Sequence, residues 1–152
     1  MKRLPLNREL IEDRLRFIEQ SVESLERYQS VDLAEYMKNP DNFRIAYYDL
    51  YTALEAVLDI GAHILSRIPG QKPQSYKDIP QLLAANKLLP RNFAEKKLVE
   101  MAGYRNRMTH FYHRIDAKEI HHLIKLCLSD FLKFSRYIGK IIKDPPKFGF
   151  PV

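Results

Sequence analysis

The sequence predicts an all-α fold, a bundle of four long helices with one or two short ones. Three stretches repeat apolar residues at alternating steps of four and three, which places them on one face of a helix. No stretch alternates apolar and polar residues for long enough to predict a strand. At 152 residues, the chain is long enough to bury one core without disulfides.

Each apolar stripe defines one long helix and the face that it buries. The first lies near the start of the chain, the second near the middle and the third near the end. Their spacing suits side-by-side packing in a bundle. The three stripes are Ile11, Leu15, Ile18, Val22, Leu25 and Tyr28; Phe43, Tyr47, Leu50, Leu54, Val57, Gly61 and Ile64; and Ile120, Ile124, Cys127, Phe131, Phe134, Ile138 and Ile141.

Polar residues and prolines mark where the helices begin. Asn39 followed by Pro40 predicts the start of the second long helix, because proline fits a first helical turn. Asp78 is expected to cap a short helix that reaches about residue 86. Pro90 is expected to begin the fourth long helix. Asp116, with an acidic residue three positions later, resembles a capping box for the last one.

We expect residues 1–143 to form one helical domain and residues 144–152, with their prolines, to form an irregular tail. The single cysteine, Cys127, excludes an internal disulfide and a cysteine-based zinc site. No apolar run reaches the ~18–20 residues that a membrane span needs, and no signal-peptide pattern is present. The sequence therefore predicts a cytoplasmic protein.

The net charge of +6 is unevenly distributed. Residues 29–70 carry three basic and six acidic groups, whereas residues 86–114 carry seven basic and two acidic groups. A basic region attracts phosphates, and nucleic acid is the commonest such partner. A solubilising surface is the alternative that charge alone leaves open.

The most basic region contains a group of polar residues with helical spacing. If residues 91–113 are mostly helical, five polar side chains fall within an arc of about 160° on one face, and Met108 and Phe111 lie opposite. Arginine presents a fork to phosphate oxygens, histidine accepts or donates a proton near neutrality, and asparagine orients a phosphate or ribose. A solvated helix face is the alternative. The five residues are Arg105, Asn106, Thr109, His110 and Tyr112.

These residues also carry a resemblance to a known family. Arg105, His110 and Tyr112 fit the pattern R-x-x-x-x-H-x-Y of the HepT toxins, which belong to the HEPN superfamily of helical ribonucleases. Residues 53–65, "ALEAVLDIGAHIL", resemble the second long helix of that family. Residues 82–112 resemble its short helix, its Leu-Pro turn and the helix that bears the motif.

The resemblance implies a HEPN-like bundle that forms a homodimer, with two copies of the motif facing one composite cleft. It implies the toxin of a type VII-like toxin–antitoxin pair, a metal-independent endoribonuclease that cleaves tRNA or mRNA. The implied antitoxin is a small nucleotidyltransferase, MntA, which transfers AMP from ATP to the motif tyrosine, here Tyr112. Neither a bound cofactor nor a metal site is expected.

With the resemblance, each motif residue receives an expected role. His110 is the general base or acid, Arg105 stabilises the developing charge and Asn106 orients the phosphate. Tyr112 is the site of AMP addition, which places bulk and negative charge in the cleft. Non-specific attraction to the RNA backbone is assigned to Lys97, Arg107 and Arg114.

Several alternatives remain open at this point. The chain could instead be a catalytically silent helical dimer that serves as a scaffold or substrate of the nucleotidyltransferase. The second helix carries Asp49, Glu55 and Asp59, which could orient Arg105 or form a salt-bridged face. His63 fits a core or interface position. The adjacent His121 and His122 point about 100° apart, which disfavours a shared metal.

Overall fold

The computed structural model describes residues 2–110 and 115–152. Over these two ranges the chain forms six α-helices, one π-helical segment and one 3-10 turn, and no strand. The prediction of an all-α fold is therefore confirmed. In chain order the segments are α1 (Arg8–Gln29), α2 (Leu33–Met37), α3 (Pro40–Ser66), α4 (Asp78–Ala85), the π segment (Phe93–Leu98), α5 (Val99–Thr109), α6 (Ala117–Lys143) and the 3-10 turn (Pro145–Phe148).

The core lies where the apolar stripes of the long helices meet. The most extensive contact between described helices is that of α1 with α3, and α6 packs against both of them. Leu25, Leu54 and Phe131, one from each predicted stripe, are at most 2% exposed. Burial of such a side chain contributes about 1.5–3 kcal/mol. The predicted stripes are thus the buried faces of the bundle.

Two of the predicted helix starts are confirmed by their hydrogen bonds. The Asn39 side chain accepts a bond from the backbone N–H of Asp41 at 3.0 Å, and Pro40 occupies the first turn of α3. The Asp116 side chain accepts a bond from the backbone N–H of Glu119 at 2.8 Å. Both caps satisfy N–H groups that have no partner within the helix.

The prediction that Asp78 caps α4 is wrong. Lys77 occupies the cap position in the right-handed helical conformation, with no side-chain cap bond, and Asp78 is the first helical residue. The Asp78 carboxylate instead accepts bonds from the backbone N–H groups of Gln74 and Ser75, at 2.8 and 3.1 Å. That carboxylate thus closes the preceding loop, and α4 begins at Asp78, one residue earlier than a cap at Asp78 would imply.

The motif-bearing helix is shorter than the span 91–113 on which its polar face was estimated. After Pro90 the chain passes through the π segment into α5, which ends at Thr109. His110 has extended backbone angles, φ −99° and ψ 104°. The carbonyls of a last helical turn need partners from outside the helix, and the Tyr47 hydroxyl donates to the Met108 carbonyl at 2.6 Å. His110 therefore follows the helix rather than lying on it.

The C-terminal residues fold back toward the N-terminus of the chain. Phe150 is 1% exposed, and the guanidinium carbon of Arg3 lies 5.0 Å from its ring centroid. Residues 144–152 include the 3-10 turn, and their separation from a domain at 1–143 stays a prediction. Within residues 2–110 and 115–152, no helix has the length and apolarity that crossing a bilayer requires.

Candidate active site on helix α5

Arg105 is held against α3 at one edge of α5. Its Nε donates to a carboxylate oxygen of Glu55, and the two side chains are 14% and 31% exposed. Burial opposes the charge of Arg105, but the hydrogen bond and negative charge of Glu55 outweigh that cost and raise the arginine pKa. The guanidinium therefore stays charged in a position that α3 defines.

The rest of the Arg105 guanidinium makes weaker contacts. Its carbon lies 4.0 Å from the ring centroid of Tyr76, a cation–π distance, and its Nη2 lies 3.3 Å from the Tyr76 hydroxyl. Its Nη1 lies 3.4 Å from the side-chain oxygen of Asn106. Charge-assisted bonds are normally about 2.7–2.9 Å long. The Nη edge thus has donor capacity that a phosphate could use.

Neither Glu55 nor Tyr76 could be assigned to this site from local spacing. Among the three acidic residues of α3 considered from the sequence, Asp49 binds Ser24 and Asp59 binds Arg14, whereas Glu55 binds Arg105. Tyr76 lies in the loop before α4, 29 residues from Arg105 in sequence. Because both contacts cross between elements, only the folded chain reveals them.

The end of α5 is tied to α3 by two tyrosines. Besides the Tyr47–Met108 bond, the Tyr51 hydroxyl lies 3.3 Å from the Thr109 hydroxyl. Thr109 in turn donates to the carbonyl of Arg105 at 2.9 Å. His110 is exposed and comes directly after this tethered end. Arg105 and His110 thus lie before and after the last turn of α5, which Tyr47 and Tyr51 of α3 hold in place.

An apolar groove of about 730 Å³ lies beside the end of α5. It runs between α3 and the start of α6, and Tyr47 and Tyr51 contribute to its wall while their hydroxyls reach α5. The groove is therefore next to the residues that hold the motif. Its described lining is Phe43, Arg44, Tyr47, Tyr48, Tyr51, Ile115, Asp116 and Ala117.

Arg107 lies on the opposite side of α5 and pairs with α6. Its two Nη atoms donate to the two carboxylate oxygens of Glu119 at 2.6 and 3.0 Å. The hydrogen bond to Glu119 is the main cause of the raised pKa of Arg107, and burial opposes it only in part. Lys97 is exposed near Cys127 and Asp130, also toward α6. The basic residues near the motif are thus divided between two faces.

Two of the predicted site residues, Tyr112 and Arg114, lie outside the described residues. Their assignments as the modification site and as an RNA contact stay predictions.

Two other histidines, His63 and His121, have structural partners. His121 is 7% exposed, and its Nε2 lies 2.6 Å from the Val31 carbonyl. His63 accepts a bond at Nε2 from the backbone N–H of Asn7 at 2.9 Å, and burial, followed by the charge of Arg67, lowers its pKa. In the part of the chain that the structure describes, no three His, Cys, Asp or Glu side chains cluster as metal ligands would.

A family model described as "Ribonuclease HepT-like" matches residues 18–138, a span that includes Arg105, His110 and Tyr112. The chain belongs to this family. Membership confirms the resemblance to HepT toxins and the predicted class of enzyme, a ribonuclease. The chain is similar to a "tRNA nuclease HepT" of Aphanizomenon flos-aquae, with 27% identity over 88% of this chain and 90% of the relative. It is also similar to a "Putative RNase" of Archaeoglobus fulgidus, with 25% identity over 74% and 83% of the two chains.

Solved structures confirm the fold. The chain superimposes with a TM-score of 0.76 on a tri-AMPylated HEPN toxin of Shewanella oneidensis in complex with its MNT antitoxin, over 86% of this chain and 97% of that chain at 24% identity. It superimposes with a TM-score of 0.77 on YutE of Bacillus subtilis, described as a cytosolic protein of unknown function. That match covers 97% and 96% of the two chains at 22% identity. The fold that these structures share with this chain thus extends over most of its length.

Proposed function

We propose that this HepT-like protein is the toxin of a type VII-like toxin–antitoxin pair, an endoribonuclease that cleaves tRNA or mRNA without a metal. The observation that carries the proposal is the fixed position of Arg105. Within a family of ribonucleases, this arginine is partly buried, stays charged and is held through Nε by Glu55, five residues before an exposed histidine. The relative from Aphanizomenon, described as a tRNA nuclease, supports tRNA as a substrate.

The proposed reaction uses the 2′-hydroxyl of the RNA as nucleophile. One His110 removes the 2′-hydroxyl proton while the 2′-oxygen bonds to the adjacent phosphorus and the bond to the 5′-oxygen breaks. An acid returns a proton to that 5′-oxygen, which leaves a 2′,3′-cyclic phosphate. The Nη edge of Arg105 stabilises the charge on the phosphorane-like transition state, and Asn106 orients the phosphate.

A homodimer would supply both the base and the acid. Two-fold symmetry brings a residue of one protomer opposite the same residue of its partner, so two copies of His110 could face one cleft. Lys97, Arg107 and Arg114 contribute backbone attraction in this proposal. For Arg107, RNA must compete with Glu119 or approach over α6.

Neutralisation is proposed to act at Tyr112. A nucleotidyltransferase antitoxin transfers AMP from ATP to its hydroxyl, with release of pyrophosphate, and the added phosphate repels RNA. The tri-AMPylated toxin of Shewanella, bound to its MNT antitoxin, supports this partner. Cytoplasmic localisation is part of the same proposal, and the cytosolic description of YutE supports it.

The deciding experiment mixes the purified chain with total tRNA and with mRNA in the presence of EDTA. We expect cleavage products that end in 2′,3′-cyclic phosphate, and we expect them to disappear in His110→Ala. Cleavage that is equal in both proteins, or absent from wild type at every concentration, contradicts the nuclease proposal.

A second experiment separates the toxin from the silent-scaffold alternative. Intact mass after incubation with the partner nucleotidyltransferase and ATP should show AMP on wild type and none on Tyr112→Phe. AMP addition to a protein that never cleaves RNA would favour a scaffold or substrate role. AMP addition to Tyr112→Phe would overturn the assignment of the modified residue.

A further inference from the structure

Three residues of α3 face the motif helix at regular helical spacing. Tyr47, Tyr51 and Glu55 follow one another at intervals of four, so their side chains lie on one face. Each reaches α5 at or next to the motif. We call Tyr47, Tyr51 and Glu55 the α3 ladder. We infer that this ladder positions Arg105 and the end of α5, which His110 directly follows; the inference rests on the proposed function.

Glu55 fixes the direction of Arg105 while leaving its phosphate-binding edge accessible. A guanidinium has an Nε side and an Nη edge, and both can bind an oxyanion. Glu55 takes the Nε side. The Nη edge makes only the long contacts to Tyr76 and Asn106, at 3.3 and 3.4 Å. Glu55 is therefore a positioning residue that determines which edge faces the substrate.

The tyrosines fix the end of α5. The Tyr47 hydroxyl donates to the Met108 carbonyl, and the Tyr51 hydroxyl lies 3.3 Å from the Thr109 hydroxyl, which donates to the Arg105 carbonyl. Arg105 is thus connected to α3 twice, once through its side chain and once through Thr109. His110 follows immediately, so its starting position depends on the same contacts.

Removal of the Glu55 charge distinguishes a positioning role from simple electrostatic attraction to RNA. A carboxylate near a phosphate site repels the substrate, so its removal should leave RNA binding unchanged or tighter. A positioning role predicts the opposite effect on turnover, because a transition-state contact that is displaced lowers kcat. A fall in kcat without a rise in KM is therefore the signature of the ladder.

The main test compares Glu55→Ala and Glu55→Gln with Asp59→Asn in RNA cleavage. Asp59 is a matched control, since it is an acid on the same helix that pairs with Arg14 at 3.2 Å. We expect Glu55→Ala to lose on the order of 100-fold in kcat with KM unchanged or lower. Glu55→Gln, which keeps an oxygen acceptor, should recover part of the loss. Asp59→Asn should match wild type.

The tyrosine half of the ladder has its own test. Tyr47→Phe and Tyr51→Phe each remove one hydroxyl, and we expect kcat to fall about threefold to tenfold, the worth of one hydrogen bond. Tyr137→Phe on α6, whose ring packs 5.4 Å from that of Phe93, should have no effect. Unchanged turnover in both α3 variants would restrict the proposal to Glu55 and overturn the ladder.

A spectroscopic measurement keeps the inference testable whether or not RNA is cleaved. The Nε–Hε signal of Arg105, identified by its loss in Arg105→Lys, should be protected from exchange in wild type and in Asp59→Asn. It should exchange rapidly in Glu55→Ala. If wild type does not cleave RNA, the proposed function fails although the signal can still be protected. If wild type cleaves and Glu55→Ala retains full kcat or a protected signal, the positioning role fails.

Discussion

Arg105 and Arg107 lie two residues apart on α5, but the fold places them in different environments. Arg105 is 14% exposed and bound through Nε alone to a strong partner, which leaves its Nη edge with weak contacts. Arg107 is 43% exposed, and its Nη edge is taken by both oxygens of Glu119. Charge alone would count these arginines as equal. Under the proposed function, this difference in geometry gives Arg105 a role in the chemistry and Arg107 a role in surface charge.

The largest effect expected from this comparison is that of Arg105→Lys. Lysine keeps the charge but has no Nε–H to bind Glu55 and no fork for the phosphate. We expect kcat/KM to fall by about 10²–10³-fold, the usual effect of removing one preorganised donor. The matched substitution Arg107→Lys should stay within about threefold of wild type. Similar losses in both variants would show that the two sides of α5 do not differ in function.

The next largest effect is on the free energy of unfolding and concerns the contact between α3 and α4, near Arg105. Gly61 lets α4 approach α3, since a Cβ there would lie 2.5 Å from Cγ2 of Ile79 and 3.2 Å from Cδ1 of Leu83. The branched Ile79 cannot move its Cγ2 cheaply. We expect Gly61→Ala to lose about 1–2 kcal/mol of unfolding free energy, because overpacking outweighs the gain in helix propensity.

The control for this measurement is Gly139→Ala on α6. Its Cβ would meet no described side chain within 4 Å, so alanine should stabilise that helix by about 0.5–1 kcal/mol. Thermal unfolding of the two variants should therefore shift in opposite directions. Tyr76, which contacts the Arg105 guanidinium, lies two residues before α4. A displaced α4 in Gly61→Ala should therefore also increase the solvent exposure of Arg105. A stabilised Gly61→Ala would show that α3 and α4 are not closely packed.

The bundle was predictable because burial repeats along a helix, so residues such as Leu54 and Phe131 reveal their faces locally. The motif was predictable because Arg105, Asn106 and His110 lie close together in sequence. The contacts that position the motif were not predictable, since Glu55 is 50 residues and Tyr76 is 29 residues from Arg105 in sequence. Interhelical register decides such contacts.

Helix ends were predicted unevenly for a related reason. The side chains of Asn39 and Asp116 each accept a bond from a backbone N–H in the first turn of their helices. The Asp78 carboxylate is engaged by the loop before it, and the last turn of α5 is closed by Tyr47 from another helix. Where a tertiary partner supplies the bond, residue type alone does not locate the end.

A smaller effect is expected on the side of α5 that faces α6. Arg107→Gln should raise KM for RNA only a few-fold and reduce the salt dependence of binding by about 0.7 in log–log slope, the value for one phosphate contact on a single strand. Its kcat should not change, because the proposed mechanism gives Arg107 no contact with the transition state. Binding measured at several salt concentrations checks this expectation.

Glu119→Gln tests the same ion pair from the side of the carboxylate, and we expect the opposite effect on RNA binding. Loss of the carboxylate charge releases Arg107 to phosphate, so RNA should bind slightly tighter, by no more than a few-fold for a partly exposed pair. The backbone N–H of Glu119, which Asp116 caps, is unaffected by the substitution. A large loss of kcat in either variant would place Arg107 in the chemistry and end the distinction between the two arginines.

The smallest expected effect concerns the opposite end of α3, where His63 accepts a bond from the N–H of Asn7 at the start of α1. Burial and the charge of Arg67 lower the pKa of His63 below its usual 6.5. The unfolded chain therefore takes up the proton more readily than the folded chain. The stability from this contact is present above about pH 6.5 and is lost as the pH falls toward the folded pKa.

We therefore expect the melting temperature of wild type to fall more between pH 7.5 and pH 5.5 than that of His63→Gln. The difference should be no larger than the 2–4 °C that about 1 kcal/mol produces in a chain of this size. The exposed His122, changed to Gln, is the control and should behave as wild type. Because His63 lies two helical turns beyond Glu55, exchange at the Arg105 Nε should not follow this titration. If exchange at the Arg105 Nε does follow the titration of His63, α3 transmits the loss of its contact with α1 to the motif. The position of Arg105 would then depend on the whole of α3 rather than on the α3 ladder alone.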